Sequence, residues 1–252
     1  PMSTRLLTHA SNQGANAARN TGIEAARGSW IAFLDSDDVW CRNRLARNAE
    51  AIEASDSTVG VVYSAYKTVR TDGSVDTTSP YQRCCPEPIA TAIGHRNVVG
   101  TFSAASVRRD ILEQVNGLDE DLPSCQDWDL WIRCAQRTSF RCIDESLLIY
   151  TGGYGGRRIT AQPSAVRVGH ERLLQKHRSF IRATGGEGAL FHRLGDICMR
   201  EADGQAARRY FQAAVQYNPR RLKWWIKWGV SLFGSSIFLE LRNILRRLRH
   251  LR

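Results

Sequence analysis

Residues 29–40, SWIAFLDSDDVW, run from an apolar stretch straight into three acids, Asp35, Asp37 and Asp38. A near-continuous apolar run after a glycine, Gly28, is the pattern of a parallel strand covered on both faces. Upstream, QGANAARNTGIEAAR (13–27) is Ala-rich and helix-compatible, with Gly28 placed as its C-cap. Downstream, Leu45, Ala49 and Ile52 recur at helical spacing over about residues 39–54, a helix that Asp37 or Asp38 can cap. Helix, strand, helix is the grammar of a doubly wound α/β sheet.

The pattern continues with a strand at 58–66, a turn at Thr71-Asp72-Gly73-Ser74 and a Cys/Pro-containing loop to about residue 92. A strand at 101–109, a helix around 110–115 and the turn NGLDEDLPS follow. CQDWDLWIRCAQR then reads as a helix and SFRCIDESLLIY as a strand. The glycines of TGGYGGRRIT (151–160), beside Arg157 and Arg158, suggest a mobile loop near an anion. From about residue 165 the pattern is helical. Residues 188–221 fit one tetratricopeptide period through Phe191, Leu194, Gly195, Ala207, Phe211, Ala214 and Pro219. One such repeat cannot bury its face alone, so a helical hairpin packed on a neighbour is expected. The boundaries read as an α/β domain over 1–162, a helical extension over 163–221 and a basic tail over 222–252.

With 252 residues, 42% apolar and 24% charged, the chain is that of a folded globular protein. The net charge of +10 is localised: residues 220–252 hold nine Lys/Arg against one acid, Glu240, so that tail carries +8 and the rest +2. A basic nucleic-acid-binding domain is therefore a poor reading. In the tail, Ile237, Leu241, Ile244, Leu245 and Leu248 share one helical face and Arg242, Arg246 and Arg249 another, after a Trp-rich start. That arrangement suits either an anionic membrane surface or packing on the preceding hairpin. Seven cysteines without a CxxC spacing or a nearby His pair exclude a zinc site and favour a reduced, cytoplasmic setting, peripheral on the inner membrane face if the tail binds lipid. No signal peptide opens the chain, and no apolar window of roughly 20 residues would span a bilayer.

Carboxylates at the C-terminal edge of a strand lie where open α/β sheets bind ligands. A divalent cation explains them, because Mg²⁺ favours one or two carboxylates plus substrate phosphates. Helix capping by Asp37 and Asp38 is the plain alternative. An EF-hand fails, since Trp40 and Ala46 stand where the loop requires Gly and Glu. A flavodoxin-like magnesium cluster lacks its accompanying glycines and lysine.

NQGANAARNTGIEAARGSWIAFLDSDDVW, followed about sixty residues later by GTFSAASVRRDILEQVNGLDEDLPSCQDWDLWIRCAQ, strongly resembles glycosyltransferase family 2, inverting enzymes of GT-A fold, over roughly residues 8–160. The resemblance implies a Rossmann-like, mostly parallel sheet flanked by helices, here followed by an all-helical extension. It places Asp35 near the ribose or base of a nucleotide-sugar donor and Asp37 on a Mg²⁺ or Mn²⁺ bound to the diphosphate, and leaves Asp38 as a cap. Asp127 corresponds to the general base for a carbohydrate or lipid-linked acceptor. Geometry rather than basicity is expected to carry its effect, since a free Asp titrates near ~3.9. Arg19 and Asn20 match positions near the nucleotide, and Arg157 could meet the diphosphate. Trp128 and Trp131 read either as core or as acceptor-stacking residues. Gln126 departs from the family's usual Glu, and nothing before Asn12 matches the family's opening strand and Asp-Asp-Gly-Ser segment, so about sixty residues are expected upstream. The competing function is a noncatalytic scaffold, built on a relic domain, that recruits a partner or membrane through the hairpin and tail.

Overall fold

The Ala-rich segment forms helix α1 (Ala15–Ala25), which is entered from Gly14 at φ 91° and closes at Ala26, short of the expected Gly28 cap. The computed structural model describes residues 4–70, 72–76, 81, 83–85, 88–151 and 163–234. After α1 come strand β1 (Trp30–Ala32), strand β2 (Val39–Trp40), helix α2 (Arg44–Glu53), strand β3 (Val59–Val69) and helix α3 (Ile89–His95). A 3₁₀ turn (Phe102–Ala104) leads into strand β4 (Ala105–Arg108), followed by helix α4 (Arg109–Gln114), helix α5 (Gln126–Ala135) and strand β5 (Ser139–Thr151). Five further helices complete the order: α6 (Pro163–Lys176), α7 (Arg178–Ala183), α8 (Glu187–Arg200), α9 (Gly204–Tyr217) and α10 (Leu222–Ser231).

The described strands form one sheet in the order β1-β4-β3-β5-β2. β3 and β5 are parallel, whereas β4 runs antiparallel to β1 and β3, and β2 antiparallel to β5. The sheet is thus mixed rather than mostly parallel. An apolar run reports burial and not direction, and here β1 leads into a period-2 pattern: Ile31 and Phe33 are buried while Ala32 and Leu34 are exposed. β3 is the central element, its residues 60–66 buried throughout.

Helix α2 starts five residues later than expected because Val39 and Trp40 extend as β2 against Ile149 and Leu148. Its core face is also rotated from the one read in the sequence. Leu45 is 50% exposed, while Arg44 and Asn48 are buried. The polar heads of these two have partners below: Arg44 Nη2 donates to the Ala104 carbonyl at 2.6 Å, and Asn48 Nδ2 to Ser106 Oγ at 2.5 Å. Burial lowers the Arg44 pKa to about 10.

Cys84 and Cys142 form a disulfide between residues 58 apart in sequence, their Cα atoms 5.9 Å apart. The fully reduced chain expected from the cysteine count is corrected by this pairing, which only the tertiary approach of β5 to the residue-84 loop reveals.

The chain divides into two compact units: Pro1–Ile93, Asn97–Leu122 and Gln126–Gly155, and Gly94–Arg96, Pro123–Cys125 and Gly156–Arg252. In the second, α8 and α9 form the expected tetratricopeptide-like hairpin. Leu194, Ala207, Phe211 and Ala214 are fully buried. A Cβ on Gly195 would lie 2.6 Å from the Phe211 ring, so only glycine admits that close crossing. Residues 235–252 and Arg157, Arg158 and the glycine-rich loop of 152–162 lie outside the described residues.

Candidate active site

Beyond β1 the chain turns at residues 36 and 37, where the Asp38 N–H bonds the Asp35 carbonyl at 3.0 Å. The Asp35 side chain is fixed from two directions. Arg19 Nη2, reaching from α1, meets Oδ1 at 2.5 Å, and Thr101 Oγ1 lies 3.5 Å from Oδ2. The Asp35 N–H donates to Ser103 Oγ at 2.9 Å. The Arg19 guanidinium itself sits 4.4 Å over the Phe102 ring, a planar stacking that orients its fork. One short segment, Thr101 to Ser103, therefore positions both members of the pair.

Asp37 is exposed at the tip of the turn. Asp38 is buried and caps no helix, because β2 intervenes before α2. Its Oδ1 accepts the Thr151 N–H at 3.3 Å, and Ser103 bonds its carboxylate as well. Oδ2 is buried without a hydrogen-bond partner. Burial, with the charges of Asp37 and Asp35, raises the Asp38 pKa. A buried carboxylate oxygen left unpaired beside two further acids is chemically suited to a cation. Among the described residues no three His, Cys, Asp or Glu side chains converge on one point, so an ion here would draw remaining ligands from phosphate oxygens or water.

Asp127 is the second residue of α5. Its Oδ1 accepts the Trp128 N–H at 2.7 Å and its Oδ2 accepts Asn97 Nδ2 at 3.0 Å. Burial is the largest influence on this carboxyl and pushes its pKa up to about 6; the two hydrogen bonds oppose the shift, and the Asp35 charge adds to it. The ordinary carboxyl pKa expected for Asp127 is therefore replaced by a raised one. Asn97 is in turn locked, with Oδ1 accepting the Gly100 N–H at 2.8 Å and its carbonyl accepting Tyr81 OH at 3.0 Å. Trp128 and Trp131 are buried, and their indole N–H groups bond the Ile93 carbonyl in α3 and the Gly100 carbonyl in the Asn97 loop, at 2.7 and 3.2 Å. They are core residues rather than stacking platforms.

The chain matches Glycosyl transferase family 2 over residues 2–115. Over that stretch the chain is similar to glycosyltransferases. An uncharacterized glycosyltransferase of Haemophilus influenzae is 26% identical over 136 residues, covering 54% of this chain. The chain spans less than half the length of the first curated relatives that it matches, 45% and 36%. Two solved structures share the GT-A architecture of the mixed sheet and its helices. A mannosyltransferase of Pyrobaculum calidifontis, in complex with GDP-Man and Mn²⁺, aligns with TM-score 0.52 at 14% identity, over 92% of this chain and 68% of its own. Staphylococcus aureus TarS 1–349 with UDP-GlcNAc aligns with TM-score 0.50 at 15% identity, over 92% and 72%.

Within this glycosyltransferase fold, Arg19, Asp35 and Asp127 come together, while Asn20 is used otherwise. Its amide bonds both the carbonyl and the N–H of Leu118, at 2.9 and 2.8 Å, and Glu120 at 2.7 Å, which secures the 117–120 turn. Gln126 Nε2 donates to the Leu122 carbonyl at 3.0 Å and so stabilises the entry to α5. Sequence reasoning passed over Asn97, Thr101 and Ser103. Thr101 and Ser103 lie within the family-like GTFSAAS stretch and Asn97 just before it, but no residue type or spacing there marks a contact with Asp35 or Asp127.

Proposed function

We propose that the α/β unit carrying Asp35 and Asp127 transfers a glycosyl group from a nucleoside-diphosphate sugar to a hydroxyl of a carbohydrate or lipid-linked acceptor, with inversion, in glycan or polysaccharide biosynthesis. The reading rests above all on Asp127, a carboxylate with a pKa near 6 placed within electrostatic reach of the Asp35 turn. A general base is most effective when its pKa lies close to the working pH. Asp127 takes the proton of the acceptor hydroxyl as that oxygen bonds the anomeric carbon. The bond from that carbon to the diphosphate oxygen breaks on the opposite face, and its electron pair leaves with the diphosphate. Asp35, held by Arg19 and Thr101, faces the nucleoside.

Asp37 and the unpaired Oδ2 of Asp38 would hold a Mg²⁺ or Mn²⁺ together with donor phosphate oxygens. The ion supplies positive charge against that developing on the leaving diphosphate. Arg157 is assigned to the same diphosphate on its sequence position.

The test is release of nucleoside diphosphate from UDP- and GDP-sugars with and without Mn²⁺, paired with calorimetry of donor binding. Turnover is expected to need the metal, to fall by about 10²–10⁴ in Asp127→Asn with donor binding kept, and to be lost with metal-dependent binding in Asp37→Ala. Undiminished turnover in either variant overturns its role. Absence of both heat and turnover with every donor supports the relic-scaffold alternative.

A further inference from the structure

Helix α10 is apolar on two opposite sides. Its inner side buries Trp224 and carries the partly buried Trp228 against Ala214, Val215 and Phe191. At 100° per residue the opposite side collects Leu222, Trp225, Ile226 and Gly229, and Phe233 follows in the turn two residues past the end of the helix. Leu222 is 71% exposed, Trp225 43%, Ile226 56% and Phe233 72%. A helix packed by one face normally offers water a polar opposite face. Here that face is a stripe of large apolar and aromatic side chains.

Charge chooses between its occupants. Arg220, Arg221 and Lys223 are exposed at the start of the stripe, whereas Lys227 is paired with Asp196 at 2.5 Å. No acid occurs between residues 204 and 239. Residues 235–252 carry five arginines against Glu240, the same sign as the stripe's rim, and a second copy of the chain would bring an equally basic rim. Like charge opposes both. An anionic bilayer supplies an apolar layer for Trp225, Ile226 and Phe233 and phosphates for the arginines, and Trp is suited to the headgroup level.

We propose that the outward face of α10 docks on an anionic phospholipid surface, with Leu222, Trp225, Ile226 and Phe233 entering the headgroup region and Arg220, Arg221 and Lys223 meeting lipid phosphates. The docking is independent of the transfer chemistry.

The full chain is tested by co-sedimentation with phosphatidylcholine vesicles, alone or with about 30% phosphatidylglycerol, at about 0.1 M salt. Pelleting with the anionic vesicles, absent with phosphatidylcholine alone, is expected. Trp225→Ser/Ile226→Ser/Phe233→Ser should weaken it at least tenfold in a chain that still melts cooperatively, the variant giving up the Trp225 bond to the Pro219 carbonyl. Arg220→Glu/Arg221→Glu/Lys223→Glu should remove the preference for anionic lipid. The proposal is overturned if the chain stays in the supernatant, or if the triple serine variant pellets like the parent, which would assign binding to residues beyond α10. A dimer in sedimentation velocity, abolished by the same variant without any lipid binding, would give the face to a second copy.

Discussion

Asn97 Nδ2 donates to Asp127 Oδ2 at 3.0 Å, while the other oxygen of that carboxylate is held by the Trp128 N–H. A donor to the charged form favours ionisation, so Asn97 holds the Asp127 pKa below the value that burial alone would give. In the parent, activity is expected to rise with pH through about 6 as Asp127 loses its proton. Asn97→Ala removes the donor, and the acidic limb of the kcat profile should move up by about one unit. The deficit is greatest near the limb, and what persists at alkaline pH reports lost positioning. Asn97→Asp keeps an acceptor for the Gly100 N–H but sets a like charge against Asp127, so its limb should lie higher still. An unmoved limb in both variants would leave Asn97 a loop-forming residue only.

Arg19 couples α1 to the acidic turn through one ion pair and one stacked ring. Lysine can supply the charge but not the flat guanidinium that lies on Phe102 while meeting Asp35. Arg19→Lys should therefore behave nearly like Arg19→Ala, each weakening nucleotide-sugar binding about tenfold in calorimetry. Full affinity in Arg19→Lys would show that charge alone suffices.

What the sequence exposes and what it hides differ for physical reasons. Asp35, Asp37 and Asp127 can be picked out as candidates because their residue types and spacing repeat a family pattern, and the hairpin because Gly195 and Phe211 follow a fixed period. Strand direction in β1 is not legible, since the same apolar residues serve a parallel or an antiparallel neighbour. Asp38 looks like a helix cap until β2 is seen to intervene. Asn97 carries no signal at all, because its role consists of a contact made thirty residues away in the chain.

The Cys84–Cys142 disulfide closes a loop of 58 residues that includes β4 and helices α3, α4 and α5. In the chain-entropy picture such a closure stabilises by up to about 4 kcal/mol, so reductant should lower the melting temperature by roughly 10 °C. Thiol titration in denaturant should find five free cysteines without reductant. Finding all seven would refute the bridge. Reduction also loosens the loop bearing Tyr81, which stacks on Tyr66 at 4.9 Å and bonds the Asn97 carbonyl, so turnover should fall before unfolding begins.

Asp129 is fully buried on α5, two residues from Asp127, and its work is structural. Arg133 bonds Asp129 Oδ2 through Nε and Nη2 at 2.9 and 2.7 Å, and its Nη1 holds the Val115 and Gly117 carbonyls at 2.5 and 2.6 Å. Those carbonyls flank an Asn-Gly turn in which Asn116 and Gly117 both have positive φ, 56° and 62°. Arg133→Ala removes a guanidinium from a buried carboxylate and releases the turn together. A loss of about 3–5 kcal/mol is expected, read as a drop in melting temperature of ~10 °C or more. Replacing both partners by leucine should recover most of the loss, because the cost lies in the uncompensated charge rather than in the missing bridge. A double variant as unstable as Arg133→Ala would instead assign the stability to the turn carbonyls. Since α5 also carries Asp127, the single variant should lower kcat at temperatures where it is still folded, whereas Asp129→Asn with Arg133 retained should change kcat little.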